Sequence, residues 1–377
     1  MTAKLRILVV SRSYPAPGDL YRYPFVHRRL IGYRAAGHEV AVFRPESGEA
    51  GTYSFDGVEC RVGGRGDLEA LAASFGPQVL AVHGLGPGMW PSIERLARTL
   101  PLVAWLHGSE IPGFLERKCA IDGMPAGEAL ERGRECADFW SEVLAGPFAP
   151  SKLVFPSETA VRYMSEAVPL PPERVAVIPN PIDTVLFACG RKPVDQRFRV
   201  LFIRPFDSRC YANDVAVGAI AELLRAERDS RFTFRIFGDG PLFDDTVEPL
   251  RGLAGVRIDR RFLTQTEIAR EHQSSGVFLV PTRLDTQGVS RDEAMASGLV
   301  PVTTAIAPVT EFVDETCACL VPSDDPAAAA AAIRSLGDDP DLFASLSAGA
   351  ERNIRGTRTS AAVTARDIDL LGDILSR

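Results

Sequence analysis

The chain has 377 residues, too many for one ordinary hydrophobic core and suited to two domains. Its 46% hydrophobic and 24% charged content is that of a globular protein, and a formal net charge of −7 gives neither half the bulk basic excess of a nucleic-acid binder. Seven cysteines, odd in number and without a paired C-x-x-C framework, read as reduced structural residues, Cys317 and Cys319 included.

The first apolar run, Leu5 to Val10, is shorter than the roughly 7–15 residues of a signal peptide's apolar core and suits a first buried strand. No stretch approaches the ~20 apolar residues of a membrane span, so a cytoplasmic location is expected. A Gly/Pro-punctuated loop, Ser11 to Tyr23, leads to a helix over Phe25 to Ala36, which Gly37-His38 ends, and a strand from Glu39 to Phe43. Another buried strand, Pro77 to His83, precedes GLGPGM, whose glycine spacing is not the G-x-G-x-x-G of a dinucleotide site. Helix Ser92 to Thr99 and strand Pro101 to Leu106 then deliver His107 at a strand's carboxyl end, beside Gly108. A lone histidine is usually structural, so this one needs a second reason to count as functional.

Ile111 to Pro150 is irregular apart from one amphipathic helix, Gly127 to Leu144, whose apolar positions include Trp140. Trp140 suits a core; because its segment follows His107, it is also a candidate to shape a pocket. Strand Leu153 to Phe155, a Ser157-capped helix through Met164 and strand Val175 to Ile178 lead to Pro179-Asn-Pro-Ile-Asp183. Its two prolines stiffen the chain and mark the domain boundary.

The second half opens with strand Arg199 to Ile203 and two arginines, Arg204 and Arg209. Helix Val215 to Arg225 and strand Phe232 to Phe237 follow, the strand ending in Gly238-Asp-Gly-Pro241. After Val256 to Ile258 and Arg261 comes the stretch around which the chain is organised: strand Gly276 to Pro281, a loop with Asp285 and Gly288, helix Arg291 to Ser297 stopped by Gly298, and strand Leu299 to Thr303. That is half of a doubly wound α/β unit, and ligands bind such sheets at the carboxyl ends of the strands. The Gly288, Val289 and Ser290 amides open a helix and can point at an anion. Asp285 and Glu293 make sense there as acceptors for hydroxyl groups, one on a sugar and one on a ribose; the plainer alternative is a helix start carrying Asp292 and Glu293 to complement its dipole. An alanine-rich helix, Asp324 to Gly337, and a final helix, Ser360 to Ser376, complete the chain. A D-x-D, Asp367 to Asp369, lies in that last helix and reads as a solvated face rather than a metal pair.

The block with Asp285, Gly288, Glu293-Ala-Met-Ala296, Gly298, Pro301 and Val302 resembles the acid–seven residues–Glu signature of the retaining GT-B glycosyltransferases, the large family that includes sucrose and glycogen synthases. It departs by Asp285 where Glu is usual and by Thr286-Gln287 for Gly-Phe. Weaker likeness extends over nearly the whole chain. The resemblance implies an α/β, GT-B fold: two Rossmann-like doubly wound domains facing across a cleft. Residues 1–182 would bind acceptor and 183–357 the nucleotide-sugar donor, with the last helix, in 358–377, crossing back onto the first domain.

By the same resemblance, Arg204 and Arg209 would clasp the donor diphosphate, Arg209 standing where lysine is usual. Gly238 would let the backbone lie close to the nucleotide, and Arg261 would lie near the base. Gly18 would sit by the donor phosphate, where many members carry Gly-Gly and this chain has Gly18-Asp19. His107-Gly108 matches the family's His-Gly motif, and Asp19, Tyr21, Arg22 and Trp140 join His107 as acceptor-side candidates.

The implied activity is a retaining, metal-independent transfer from a nucleotide sugar, UDP-linked by family frequency, to a hydroxyl of a glycan, lipid-linked or small-molecule acceptor. No cofactor and no nucleic-acid partner is expected, and a peripheral membrane contact stays open. Two rivals stand beside this: a GT-B nucleotide-sugar epimerase, which needs no acceptor, and a catalytically inactive nucleotide-sugar-binding protein, favoured by Asp285 and the missing Gly-Gly.

Overall fold

Strands that are apolar at every position need cover on both faces, which a parallel sheet flanked by helices supplies. The computed structural model describes residues 4–46, 48, 50–188, 191–226 and 231–376. The chain divides into two compact units, Met1–Pro181 with Ser360–Arg377, and Ile182–Thr359.

The first unit runs β1 (Arg6–Ser11), α1 (Pro24–Ala35), β2 (Glu39–Pro45), β3 (Gly51–Phe55), β4 (Val58–Gly63), α2 (Arg65–Phe75), β5 (Val79–His83), α3 (Trp90–Ala97), β6 (Leu102–Trp105), α4 (Pro112–Ile121), α5 (Ala126–Ala145), β7 (Lys152–Phe155), α6 (Glu158–Ser165) and β8 (Val175–Val177). The second holds β9 (Arg199–Ile203), α7 (Asn213–Ala226), β10 (Thr233–Gly238), α8 (Phe243–Val247), β11 (Val256–Arg260), α9 (Gln265–Ser274), β12 (Val277–Leu279), α10 (Val289–Ala296), β13 (Val300–Thr304), α11 (Ala307–Thr310), β14 (Cys319–Val321), α12 (Pro326–Asp338) and α13 (Pro340–Thr357). The chain then returns to the first unit as α14 (Ser360–Leu375).

The first sheet is ordered β3-β4-β2-β1-β5-β6-β7-β8, parallel throughout except for the β3–β4 hairpin, and the second β11-β10-β9-β12-β13-β14, parallel throughout. Each is doubly wound, the α/β class read from the sequence. The strand order reverses between β1 and β5 in one sheet and between β9 and β12 in the other, and such switch points open a crevice at the carboxyl ends.

Alternation along the strands sorts the cores. Leu8, Val10, Leu80 and Val82 face the side packed by Trp140 and Met164. Ile7, Val9, Val79 and Ala81 face α1 and α14, through Leu30, Tyr33, Val363 and Leu371. In the second unit Val200, Phe202, Ile236 and Val302 point one way, and Leu201, Ile203, Phe237 and Phe278 the other.

The structure corrects the sequence reading at α14. Asp367 is not on a solvated face: it is fully buried, ion-paired with Arg29 and accepting from Tyr33 Oη at 3.0 Å. It falls in the stripe of Val363, Ile368 and Leu371, so the helix can bury its apolar face only by burying this carboxylate too. Arg29 also donates to Pro179 O at 3.2 Å. Burial pushes the Asp367 carboxyl up, and Arg29 pulls against that shift. Asp369, two residues on, is exposed.

Helices α2, α4 and α13 and the β3–β4 hairpin also go beyond the elements read from sequence. No helix among the described residues is long and apolar enough to cross a membrane.

Removing one partner of a buried pair strands the other's charge, so Asp367→Ala is expected to destabilise the first unit by about 3–5 kcal/mol. Asp369→Ala should change stability by no more than about 0.5 kcal/mol. Urea unfolding followed by a probe in the first unit checks both.

Candidate functional site

In the second unit the crevice lies between the loops that follow β9 and β12. The segment after β9 runs on beside the end of β10: Arg204 N donates to Phe237 O at 3.1 Å and Phe206 N to Asp239 O at 2.9 Å. Gly238 makes this possible, because the place of its missing Cβ is taken by the Arg204 carbonyl oxygen and the Phe206 ring. The missing side chain leaves room for the protein's own loop.

Arg204 is only 5% exposed. Its guanidinium reaches Pro281 O at 3.3 Å and Ser290 Oγ at 3.5 Å, and lies over the Tyr211 ring at 5.1 Å. Its Nε has no hydrogen-bond partner among the described residues. Burial pushes its pKa down, and the attraction of Asp285 offsets only part of that. A buried cation with spare donors thus stands beside the first turn of α10.

That turn begins at Gly288, whose φ of +94° suits glycine. Val289 and Ser290 follow half-buried, their amides among the first four of the helix, which have no intrahelical partner. Asp285 Oδ1 accepts from Thr286 N at 2.8 Å and Gln287 N at 3.2 Å, so this carboxylate also shapes its own loop. Glu293 is buried at 8% exposure.

Sequence reasoning missed what holds the loop. Asp292 is fully buried: Arg291 Nη2 donates to it at 2.8 Å, Gln287 Nε2 at 3.1 Å, and Arg358 Nε lies at 3.1 Å. Arg291 Nη2 also donates to Gln287 O at 2.6 Å. Asp292 is therefore a structural anchor rather than a dipole ornament.

Arg209 is exposed at the tip of its loop. Its carbonyl is held by Arg283 Nη1 at 2.9 Å, while Arg283 grips Asp214 with both Nη atoms, at 2.9 and 2.8 Å, and Asp324 at 2.6 Å. Arg261 bridges to Gly238 through the backbone and pairs with Glu267 at 2.8 Å.

In the first unit, register sets the carboxyl ends of β1, β5 and β6 level: Ser11 pairs with His83, and His83 with Trp105. His107 lies two residues past β6. Its Nε2 is 3.1 Å from His83 Nδ1, and its ring packs against Phe25 and Tyr23, with centroids 4.6 and 5.3 Å away. The buried Glu110 carboxylate accepts from the His107 backbone N–H. Burial drives the His107 pKa down to about 3 and that of His83 well below its ordinary value.

Of the other first-unit candidates, Gly18 sits at an exposed turn closed by reciprocal Ala16–Asp19 hydrogen bonds. Asp19 and Arg22 form an ion pair with each other, and Tyr21 is half-buried nearby in sequence. Trp140 requires a correction: it is fully buried in the core and donates from Nε1 to Glu110 O at 2.6 Å, so it supports the His107 turn instead of facing an acceptor.

Comparison with known proteins adds independent findings. Residues 25–186 match the family model "Glycosyltransferase Family 4", and residues 197–339 match "Glycosyl transferases group 1". A D-inositol 3-phosphate glycosyltransferase of Acidothermus cellulolyticus is 28% identical over 221 residues, 54% of this chain and 49% of that one. The chain spans about half the length of the curated relatives it matches. Among solved structures, sucrose-phosphate synthase from Thermosynechococcus elongatus superposes with a TM-score of 0.73 at 16% identity, over 99% of this chain and all (100%) of that one. Anabaena HepE, solved in complex with UDP and glucose, gives 0.70 at 15% identity, over 98% and 100% of the two chains. These likenesses show the fold.

Buried, neutral His83 and His107 should not titrate between about pH 5 and 9. Because both folded pKa values are depressed, their contribution to stability is fully present above 6.5 and is lost as pH falls below it, where the unfolded chain takes up protons first. Imidazole NMR shifts across that range check the first statement, and urea midpoints at neutral and mildly acidic pH the second.

Proposed function

The chain belongs to the GT-B glycosyltransferases, and on that premise we propose that it moves a sugar from a UDP-linked donor to a hydroxyl acceptor, with retention and without a metal. The observation that carries the reading is the buried, incompletely paired Arg204 beside the α10 amides at a strand-order switch point. A cation with spare donors and a helix start together suit a diphosphate. Arg209, exposed nearby in sequence, adds a second positive charge.

In this reading the leaving diphosphate's growing charge is met by Arg204, Arg209 and the Val289 and Ser290 amides, which is preorganised electrostatic catalysis. Those charges do the work that a metal would otherwise do. Glu293 accepts from the ribose and Asp285 from a sugar hydroxyl. His107 is neutral and walled by Tyr23 and Phe25, and it suits a hydrogen bond to a substrate hydroxyl. The attacking hydroxyl arrives on the face the diphosphate leaves, and the diphosphate oxygen takes its proton. The relative of Acidothermus is named a D-inositol 3-phosphate glycosyltransferase, which supports a hydroxyl acceptor, and HepE was solved with UDP and glucose, which supports a uridine donor.

One observation favours a second reading, an inactive nucleotide-sugar-binding protein: Asp285 Oδ1 is already engaged by two amides of its own loop. Donor consumption decides, assayed with a panel of nucleotide sugars, with and without acceptor and EDTA. The proposal expects acceptor-dependent consumption that EDTA leaves intact. Turnover without acceptor that yields a new sugar epimer points to epimerisation, and binding without turnover to the inactive reading.

Arg204→Ala should weaken nucleoside-diphosphate binding by about 1.5–3 kcal/mol through loss of a charge-assisted contact. Calorimetry with UDP measures this, and an unchanged affinity in a folded variant removes Arg204 from the site.

A ribose contact binds ground and transition states alike, whereas a contact near the breaking bond tightens as it breaks. Glu293→Gln is therefore expected mainly to raise the donor KM, and Asp285→Asn mainly to lower kcat. Steady-state kinetics separates the two, and Asp285→Glu should retain part of the activity.

A further inference from the structure

Arg283 stands two residues before Asp285 and has no part in the transfer described above. Its side chain is 20% exposed and is spent almost wholly on the protein itself. A guanidinium has five N–H donors. Here Nε donates to Asp324 Oδ1 at 2.6 Å, Nη1 to Asp214 Oδ1 and Arg209 O, both at 2.9 Å, and Nη2 to Asp214 Oδ2 at 2.8 Å. One N–H remains, so the bidentate clasp by which arginine grips a phosphate is closed to this residue.

What the side chain holds is the turn that carries Arg209. Arg209–Tyr211 form a single 3-10 turn, and Ala212 ends it at φ +48° and ψ +38°, a left-handed conformation that residues with a Cβ seldom adopt. Such a conformation persists only where the surrounding contacts over-determine it. The contacts come from the segment after β12. Besides the Arg283 bond to Arg209 O, Arg283 N donates to Cys210 O at 2.8 Å, and Thr282 Oγ1 lies 3.0 Å from that same oxygen. Tyr211 is held separately, its ring 5.1 Å from the Arg204 guanidinium. The Arg283 side chain therefore acts on the peptide of Arg209 itself.

We propose that Arg283 is a positioning residue for the diphosphate site, clamping the Arg209 carbonyl so that the Arg209 side chain extends from a fixed backbone when a nucleoside diphosphate binds.

The proposal rests on the transferase reading, in which Arg209 meets the diphosphate. Charge balance favours position over field. One guanidinium with the two carboxylates of Asp214 and Asp324 sums to −1, so the cluster adds no attraction for an anion. Its value to a diphosphate lies in where it puts Arg209. An exposed arginine on an unheld turn gives up backbone and rotamer freedom on binding, and a turn fixed beforehand reduces that loss.

Arg283→Lys keeps the charge but replaces the planar fork with one ammonium, which cannot hold Arg209 O and both carboxylates in the same geometry. Asp214 and Asp324 are 64% and 56% exposed, so water takes up what the lysine leaves. UDP affinity is measured by calorimetry on the parent, Arg283→Lys, Arg209→Ala and the double variant. Arg283→Lys is expected to weaken UDP binding about fivefold in the parent and by less than about twofold once Arg209 is alanine, because residues acting through one contact are not additive. Asp214→Asn keeps Arg283 and loosens its grip, and should weaken UDP about twofold. A field effect would instead tighten binding there, since a negative charge is removed, and this variant decides the matter where Arg283→Lys does not fold. Unchanged affinity in Arg283→Lys, an effect that persists in full beside Arg209→Ala, or tighter binding in Asp214→Asn overturns the proposal. If Arg204→Ala still weakens UDP in that case, the transferase reading stands without it; a parent that binds no UDP overturns both.

Discussion

A single buried carboxylate, Asp292, sets the geometry of the second unit's crevice. An ionised group without exposure costs several kcal/mol in lost hydration unless partners surround it. Here Arg291 and Gln287 come from the same loop and helix, and Arg358 from the far end of α13. The carboxylate thus ties the corner at Gly288 to the last turn of the unit, where Arg358 O accepts from Ile182 N at 2.8 Å. With the corner pinned, the first amides of α10 and the buried Arg204 hold fixed positions before any ligand arrives. Such preorganisation is what electrostatic stabilisation of a leaving group needs, because nothing has to reorient as charge develops.

The first unit follows the same logic with different groups. Arg29, Asp367 and Tyr33 form a buried polar cluster that holds α14 on α1. The Arg29 guanidinium also lies 5.8 Å from the Trp105 ring centroid, and Trp105 stacks on His83. A continuous series of packed groups therefore runs from the last helix to the imidazole pair. In both units a buried ionic cluster, rather than the apolar core alone, sets the position of the groups assigned to chemistry.

Much of the frame was legible because its signals are local. Runs such as Val79 to His83 and Val300 to Thr304 announce buried parallel strands, and Gly288 before a run of good helix formers announces the α10 start. What escaped depends on distant partners. Nothing near Asp292 in the sequence names Arg358, and Asp367 resembles any charge on an amphipathic helix until Arg29 is placed opposite it. Trp140 was ambiguous for the same reason, its indole N–H finding Glu110 O only in the fold. Other misses were local signals passed over. Asp56-Gly57, both at positive φ, make the two-residue turn of the β3–β4 hairpin. Asp339 before Pro340 caps α13, its carboxylate accepting from Asp341 N and Leu342 N.

The central claim is that the second unit receives a nucleoside diphosphate on Arg204 and the start of α10. Hydrogen–deuterium exchange with and without UDP tests it most directly, because the first amides of a helix lack intrahelical partners and exchange readily unless a ligand accepts from them. The account predicts that UDP slows exchange at Val289 and Ser290. Exchange there that is unchanged at a UDP concentration shown to occupy the protein, with protection appearing elsewhere, would contradict it.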